Sequence, residues 1–285
     1  MGISVFAKHL QAWPLEACCR RVREAGFDGL DLTVRPGGYV EPGVGLARHF
    51  ADAVRTIRSF GLSVPLVTTG LTRADDPAAD ETLHTAADLG ITELKLHYWP
   101  WEPARQRFAD ALDAARRDLA GIAKLAEAAK IRVNLHNHSD HYVTHSAAAI
   151  RRLLDDHDPA VVGAYVDPAH FTLEGGLAGW HSGLELLADR ITLVAVKDFR
   201  WIDTPGDPAA PQQRRWVPVG DGNVHWGEVL TLLRRWHYAG PLNVHGEYQG
   251  RWSWRDLDVE QVLQQCTADR AALQRLGAAG EQKTA

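Results

Sequence analysis

With 285 residues, 45% of them hydrophobic and 24% charged, the chain is long enough for one large barrel or two average domains around a sizeable core. A formal net charge of -5 speaks against nucleic acid or an anionic membrane as partner. Adjacent Cys18 and Cys19 with distant Cys266 lack the spacing of a disulfide framework, which suggests reduced thiols in a cytoplasmic protein. The N-terminal residues are too few and too polar for a signal peptide, and no apolar run approaches the roughly 20 residues that span a bilayer.

Ile3–Ala7 reads as a first strand. A helical pattern then starts after Pro14 and stops at Gly26, with proline at the entry and glycine at the exit. Further strands are expected at Gly29–Val34, Ser63–Thr68 and Glu93–Tyr98. The clearest helical stretch, rich in Ala and Leu at three- and four-residue spacing, runs from Arg105 to Lys130. Beyond it lie candidate strands Ile131–His136, Val161–Asp167, Thr192–Lys197 and Leu242–Glu247. Strands separated by helices call for parallel pairing, because a parallel crossover needs a long connection. Eight such units in about 250 residues match one closed α/β barrel, a single (β/α)8 domain over residues 1–276. A doubly wound open sheet has a similar rhythm but normally carries a glycine-rich phosphate loop after its first strand, and none is seen. The segment Arg200 to Val224 reads as a long, proline-containing connection of the kind that forms an active-site lid. Gly277 to Ala285 reads as a frayed tail.

Alternate residues of a strand face opposite ways. In Ile131–His138 one face is Ile131, Val133 and Leu135, suited to packing against helices. The other is Arg132, Asn134, His136 and His138, which then points into the barrel. The same split turns Asp31, Thr33 and Arg35 inward, with Lys95 and His97, Asp167, Lys197, and Asn243, His245 and Glu247. Each such group costs about 1–3 kcal/mol if it is left unsatisfied. Their concentration at C-terminal strand ends, where barrel enzymes place their active sites, argues for use rather than packing.

The segments carrying these residues are Asp28–Gly38, Leu135–Ser139, Val166–His170, Val196–Phe199 and Leu242–Tyr248. In that order they resemble the xylose isomerase-like family of barrels, which includes sugar phosphate isomerases and epimerases and a DNA-repair endonuclease branch. The resemblance covers nearly the whole chain and is specific for the superfamily rather than for a substrate. It implies a divalent metal held by Glu, Asp, His and Glu from strands five to eight, with the glutamates moving protons. In this chain those positions map to His136, Asp167, Ala195 and His245, so only the aspartate is kept.

Two chemistries fit the altered set. In one, His136, Asp167 and His245 hold Mn²⁺, Fe²⁺ or Zn²⁺, which polarises a substrate carbonyl. In the other, His136 and His245 replace the glutamates as proton-transfer groups and Lys197 supplies positive charge near an enediolate. Glu247 is a second candidate base, or the orienter of a histidine. Arg35, His97, His138 and His170 are candidate substrate contacts, Arg35 with Lys8 suiting a phosphate or carboxylate. Trp99, Trp101 and Trp201 are placed to stack on a sugar ring, or else to pack in the core. No organic cofactor is expected. The resemblance implies a small carbohydrate substrate, isomerised or epimerised by proton abstraction next to a carbonyl, in a barrel that forms homo-oligomers in many relatives. A lyase eliminating across a keto-sugar, oxidised glycoside or polyol starts with the same abstraction. A sugar-binding barrel without turnover is the non-enzymatic alternative, and the endonuclease branch is disfavoured by the acidic balance.

Overall fold

The computed structural model describes residues 1–204 and 212–284. Its strands, in chain order, are β1 (Ile3–Phe6), β2 (Gly29–Val34), β3 (Val67–Thr69), β4 (Glu93–Lys95), β5 (Arg132–His136), β6 (Val162–Val166), β7 (Ile191–Val196), β8 (Asp198–Asp203), β9 (Gln212–Val217) and β10 (Leu242–Val244). Eight of them pair in parallel and close in the order β1-β10-β7-β6-β5-β4-β3-β2. The helices are α1 (Leu15–Glu24), α2 (Leu46–Ser59), α3 (Ala79–Asp88), α4 (Phe108–Ala129), α5 (Ala147–Leu154), α6 (Pro168–Leu187), α7 (Trp226–Arg235) and α8 (Val259–Thr284). Each strand expected from the sequence is present, β2 with the expected bounds and the others shortened at one or both ends or shifted by a few residues.

Helix spacing explains the outer layer. α1 buries Cys18, Cys19 and Val22, one stripe at three- and four-residue intervals, and the cysteines are free thiols that act as small apolar groups. α4 buries Ala111, Ala115, Leu119, Ile122 and Ala126 on one face and ends at Lys130 in the left-handed region (φ 57°). Most apolar side chains lie in this layer between strands and helices. A second, small cluster of Leu66, Tyr165, Leu193 and Ala195 fills the barrel interior. Gly163 permits the close packing there: a Cβ would stand 2.6 Å from Asn134 Oδ1. Asn134 instead receives the Thr192 hydroxyl and donates to Glu93 (2.9 Å), which closes the polar floor of the barrel.

One expectation about a connection is corrected. Arg200–Val224 is not a structureless lid. β8 and β9 form an antiparallel hairpin in which Phe199 pairs with Trp216 and Trp201 with Arg214, and residues 205–211 lie outside the described residues. At the C-terminal end, α8 runs to Thr284, and Arg234 donates to the Gly277 carbonyl (3.1 Å). No helix among the described residues is long and apolar enough to cross a membrane.

Candidate active site

The eight barrel strands and the turns after them converge on one cavity of about 110 Å³ at the C-terminal mouth of the barrel. Its walls include His136 and His138 after β5, Lys197 after β7, His245 and Glu247 after β10, and Tyr98 after β4. Phe6, Lys8, Arg35, Thr68, Lys95 and Tyr165 complete them. A wider depression of about 320 Å³ at the opposite end, beside Glu93, Arg132 and Trp236, holds no comparable convergence of titratable groups. The small polar cavity is therefore the candidate site.

Asp167 shows how local sequence builds it. Pro168 occupies the first turn of α6, so Asp167 is the N-cap, and its Oδ1 accepts from the backbone N–H of Ala169 (2.9 Å) and His170 (3.2 Å). Asn137 fixes the same residue from β5: its Oδ1 accepts from Asp167 N (2.6 Å) and its Nδ2 donates to Asp167 O (2.9 Å). With one carboxylate oxygen committed to the helix, Oδ2 turns inward. There it meets Lys197 Nζ at 3.2 Å and stands 3.7 Å from both His136 Nε2 and His170 Nε2.

Lys197 is the centre of the arrangement. Its ammonium also donates to Glu247 Oε1 (2.8 Å) and to His170 Nε2 (2.8 Å), and it lies 4.4 Å from the centre of the Trp216 ring. Burial pulls its pKa down, but the Asp167 and Glu247 carboxylates outweigh that and hold it above the ordinary lysine value, so the charge is kept. Burial likewise pushes Glu247 up, yet Lys197 and His245 hold its carboxyl well below the usual range. Because His170 Nε2 accepts from Lys197, its Nδ1 carries the proton toward Ser139 Oγ. His170 is fully buried behind Lys197, holds it by a hydrogen bond and is not part of the cavity wall.

Two tyrosine–histidine–carboxylate chains flank the lysine. Tyr98 Oη is hydrogen-bonded to His136 Nδ1 (2.7 Å), and the other nitrogen of His136 faces Asp167. Tyr165 Oη is hydrogen-bonded to His245 Nε2 (2.9 Å), and His245 Nδ1 stands 3.8 Å from Glu247 Oε1. The two imidazole rings are 5.8 Å apart, centre to centre. Burial first, and nearby lysines after it, hold His136 below the ordinary imidazole pKa; burial does the same for His245, so both are neutral bases near pH 7. His138, lowered to about 4, stacks on His170 with ring centres 4.2 Å apart and lines the cavity.

The expected metal set does not fit this geometry. His136, Asp167 and His245 do meet in the mouth, but His245 Nε2 is turned to Tyr165, and an ammonium already stands at Asp167 Oδ2. Among the described residues no three His, Cys, Asp or Glu side chains converge as a ligand group. A divalent ion about 2.0–2.2 Å from Asp167 Oδ2 would be pressed against the Lys197 charge. The orphaned pair His136 Nε2 and Asp167 Oδ2 supplies two donors only.

Of the other residues singled out in the sequence, Arg35 lines the cavity, and His97 does not, because β4 ends at Lys95 and the alternation ends with it. His97 is exposed. Trp99 is 7% exposed, packs into the core and donates to Asp118 Oδ2 (3.1 Å), and Trp101 donates to the Gln106 carbonyl, so neither stacks on a ligand. Trp201 lies on the outer hairpin beside Trp180 and Asn223, away from the cavity. Tyr98, Tyr165 and Trp216 were not singled out. Tyr165 sits at an inward position of β6, two residues before Asp167, and that alternation was the available signal.

Residues 19–266 match the family described as xylose isomerase-like TIM barrel. Among solved structures the chain resembles a D-tagatose 3-epimerase-like protein (15% identity, TM-score 0.75, all of both chains covered). It also resembles a D-psicose 3-epimerase crystallised in the presence of D-fructose (17% identity, TM-score 0.72, 97% of this chain and 99% of the other). A third resemblance is to a xylose isomerase-like TIM barrel protein from Mycobacterium smegmatis in complex with magnesium (16% identity, TM-score 0.69, 98% and 97% covered). At such identities the likeness is one of fold. No curated protein matches the sequence significantly.

Proposed function

Because the chain belongs to the xylose isomerase-like TIM barrel family, we propose that it isomerises or epimerises a keto-sugar by proton transfer at a carbon next to the carbonyl, with Lys197 in place of a metal. The observation that carries this reading is the buried Lys197 ammonium, fixed by Asp167, Glu247 and His170 between two neutral imidazoles. His136 or His245 removes the proton; the C–H electron pair becomes the carbon–carbon double bond and the carbonyl π pair moves onto oxygen, giving an enediolate. Lys197 stabilises that developing negative charge, which a fixed cation in a water-poor cavity does far better than water. The histidine that took the proton can deliver it to the neighbouring carbon, giving an isomer; an epimer requires the second histidine, entering the cycle protonated, to deliver a proton to the opposite face while the first keeps the one it removed. The tyrosine hydroxyls and the carboxylates set the tautomers, as the orienting group does in other imidazole bases.

The test is solvent exchange. Ketoses and 3-keto-glycosides incubated with the protein in D₂O should gain one deuterium next to the carbonyl, read by NMR, with products of unchanged carbon skeleton and no loss of water. Loss of water or of an aglycone would move the protein to the lyase reading, which begins with the same abstraction. Absence of exchange across the panel, with the Lys197→Met variant indistinguishable from wild type, would overturn the proposal.

A further inference from the structure

The charges of the cavity are segregated. β5, β6, β7 and β10 form one half of the closed barrel and supply Lys197 together with the two carboxylates that neutralise it. β1 to β4 form the other half, and the segments at their C-terminal ends supply Lys8, Arg35 and Lys95. Among the described residues none of these three has a carboxylate within ion-pair distance. Lys95 is 3% exposed, and its Nζ lies 3.7 Å from the centre of the Tyr98 ring. The Arg35 guanidinium lies 5.9 Å from the centre of the Phe6 ring. The one acid on this side, Asp31, is tied to Thr68 (3.0 Å) and Asn243 (2.8 Å), and burial raises it to about 7, so it offsets the cations only in part. Burial, then Arg35, holds Lys95 well below the ordinary lysine pKa, as befits a cation lacking an anion. A buried ammonium without an anion costs several kcal/mol, and an anionic ligand beside it would offset that cost and favour the charged form.

We infer that Lys8, Arg35 and Lys95 form a subsite for an anionic group, a carboxylate or a phosphate, carried by the substrate on the side remote from the reacting carbon. The inference rests on the proton-transfer reading for the identity of the molecule that bears this group, a keto-sugar acid or keto-sugar phosphate. Arg35 supplies a forked donor and Lys8 and Lys95 supply point charges, the combination that holds either anion. A neutral ketose would leave these cations uncompensated.

Calorimetric titration of the whole protein with three ketoses of one skeleton, D-fructose, D-fructuronate and D-fructose 6-phosphate, tests it. At least one charged ketose should bind about a hundredfold more tightly than D-fructose, and which one does so separates carboxylate from phosphate. Lys95→Met and Arg35→Met should each weaken the charged ligand about tenfold or more, and by a clearly larger factor than they weaken D-fructose. Arg35 is only half-buried, so its variant remains informative if the Lys95 variant folds poorly. Charged ligands that bind without deuterium exchange would uphold the subsite and defeat the proton-transfer reading. If neither charged ketose binds more tightly than D-fructose, or the two variants weaken charged and neutral ligands alike, the subsite assignment is overturned.

Discussion

Replacing Lys197 by methionine removes an ammonium held by Asp167, His170 and Glu247 and leaves two carboxylates facing each other without the cation between them. Two losses follow. Turnover should fall on the order of a thousandfold, the scale for removing a preorganised stabiliser of an oxyanion. The fold should lose about 3–5 kcal/mol, because breaking a buried pair strands its partners, and thermal and urea denaturation measure that. Tyr98→Phe is a milder probe. It removes the partner of His136 Nδ1 and should cost on the order of 1–2 kcal/mol in kcat/KM, while a variant as active as wild type would take Tyr98 out of the relay. The pH profile follows from the same residues. His136 and His245 titrate below the ordinary imidazole value and work as neutral bases, so the rate should stay flat from pH 8 to about 6.5 and decline only in more acidic solution. Lys197 sits above its ordinary value, so its charge should not limit the rate below about pH 10. A half-maximal rate at pH 6.5 or higher would contradict the assigned environment. Strand alternation made the inward set legible: His136, Lys95, Lys197 and Asp31 all face where it places them. It could not show that Lys197 Nζ would stand at Asp167 Oδ2, because that depends on the N-cap commitment of Oδ1 and on side-chain reach across the barrel. That distance is what sets the lysine against the metal expected at Asp167.

The hairpin of β8 and β9 is the element that sequence rhythm concealed. Its strands contain alternating residues, but prolines between them and the absence of a short glycine turn made the segment read as a loop. Tertiary contacts define it. Trp216, 6% exposed, closes over Lys197 and His170, and Arg214 forms a forked pair with Asp140 (2.9 and 2.8 Å). Asp198 anchors its base, accepting from the backbone N–H groups of Phe199, Gly220, Gly222 and Val224 at 2.8–3.3 Å. Asp198→Ala strands these donors and should cost on the order of 3 kcal/mol of stability. If the hairpin serves only as decoration, the variant's residual folded fraction should keep wild-type kcat; if Trp216 helps to seat Lys197, kcat should fall as well. The βα units needed no such contacts to be recognised, because helix and strand periods differ and eight repeats of the pair leave few closed arrangements.

At the scale of the molecule, burial of neutral histidines links the barrel mouth to acid stability. His138 is lowered to about 4 by burial and then by Lys197, and His9 to about 3 by burial. In the unfolded chain both bind protons near pH 6.5, so the unfolded state holds more protons through the interval below that value. Stability should therefore be fully present above pH 6.5 and fall steadily as the pH drops toward 4 and 3, by several kcal/mol in sum. A melting temperature unchanged between pH 7 and 5 would contradict this. The whole molecule also shows why fold was easier to read than chemistry. Parallel closure depends on period and length, which survive many substitutions, whereas the cation at the centre depends on one side chain. That cation can be tested directly by measuring deuterium exchange into a reactive ketose after exhaustive treatment with a chelator, on wild type and Lys197→Met in parallel. Exchange that persists unchanged in the chelated wild type and disappears in the variant is the expected result; exchange lost on chelation and restored by Mn²⁺ or Mg²⁺ would contradict it.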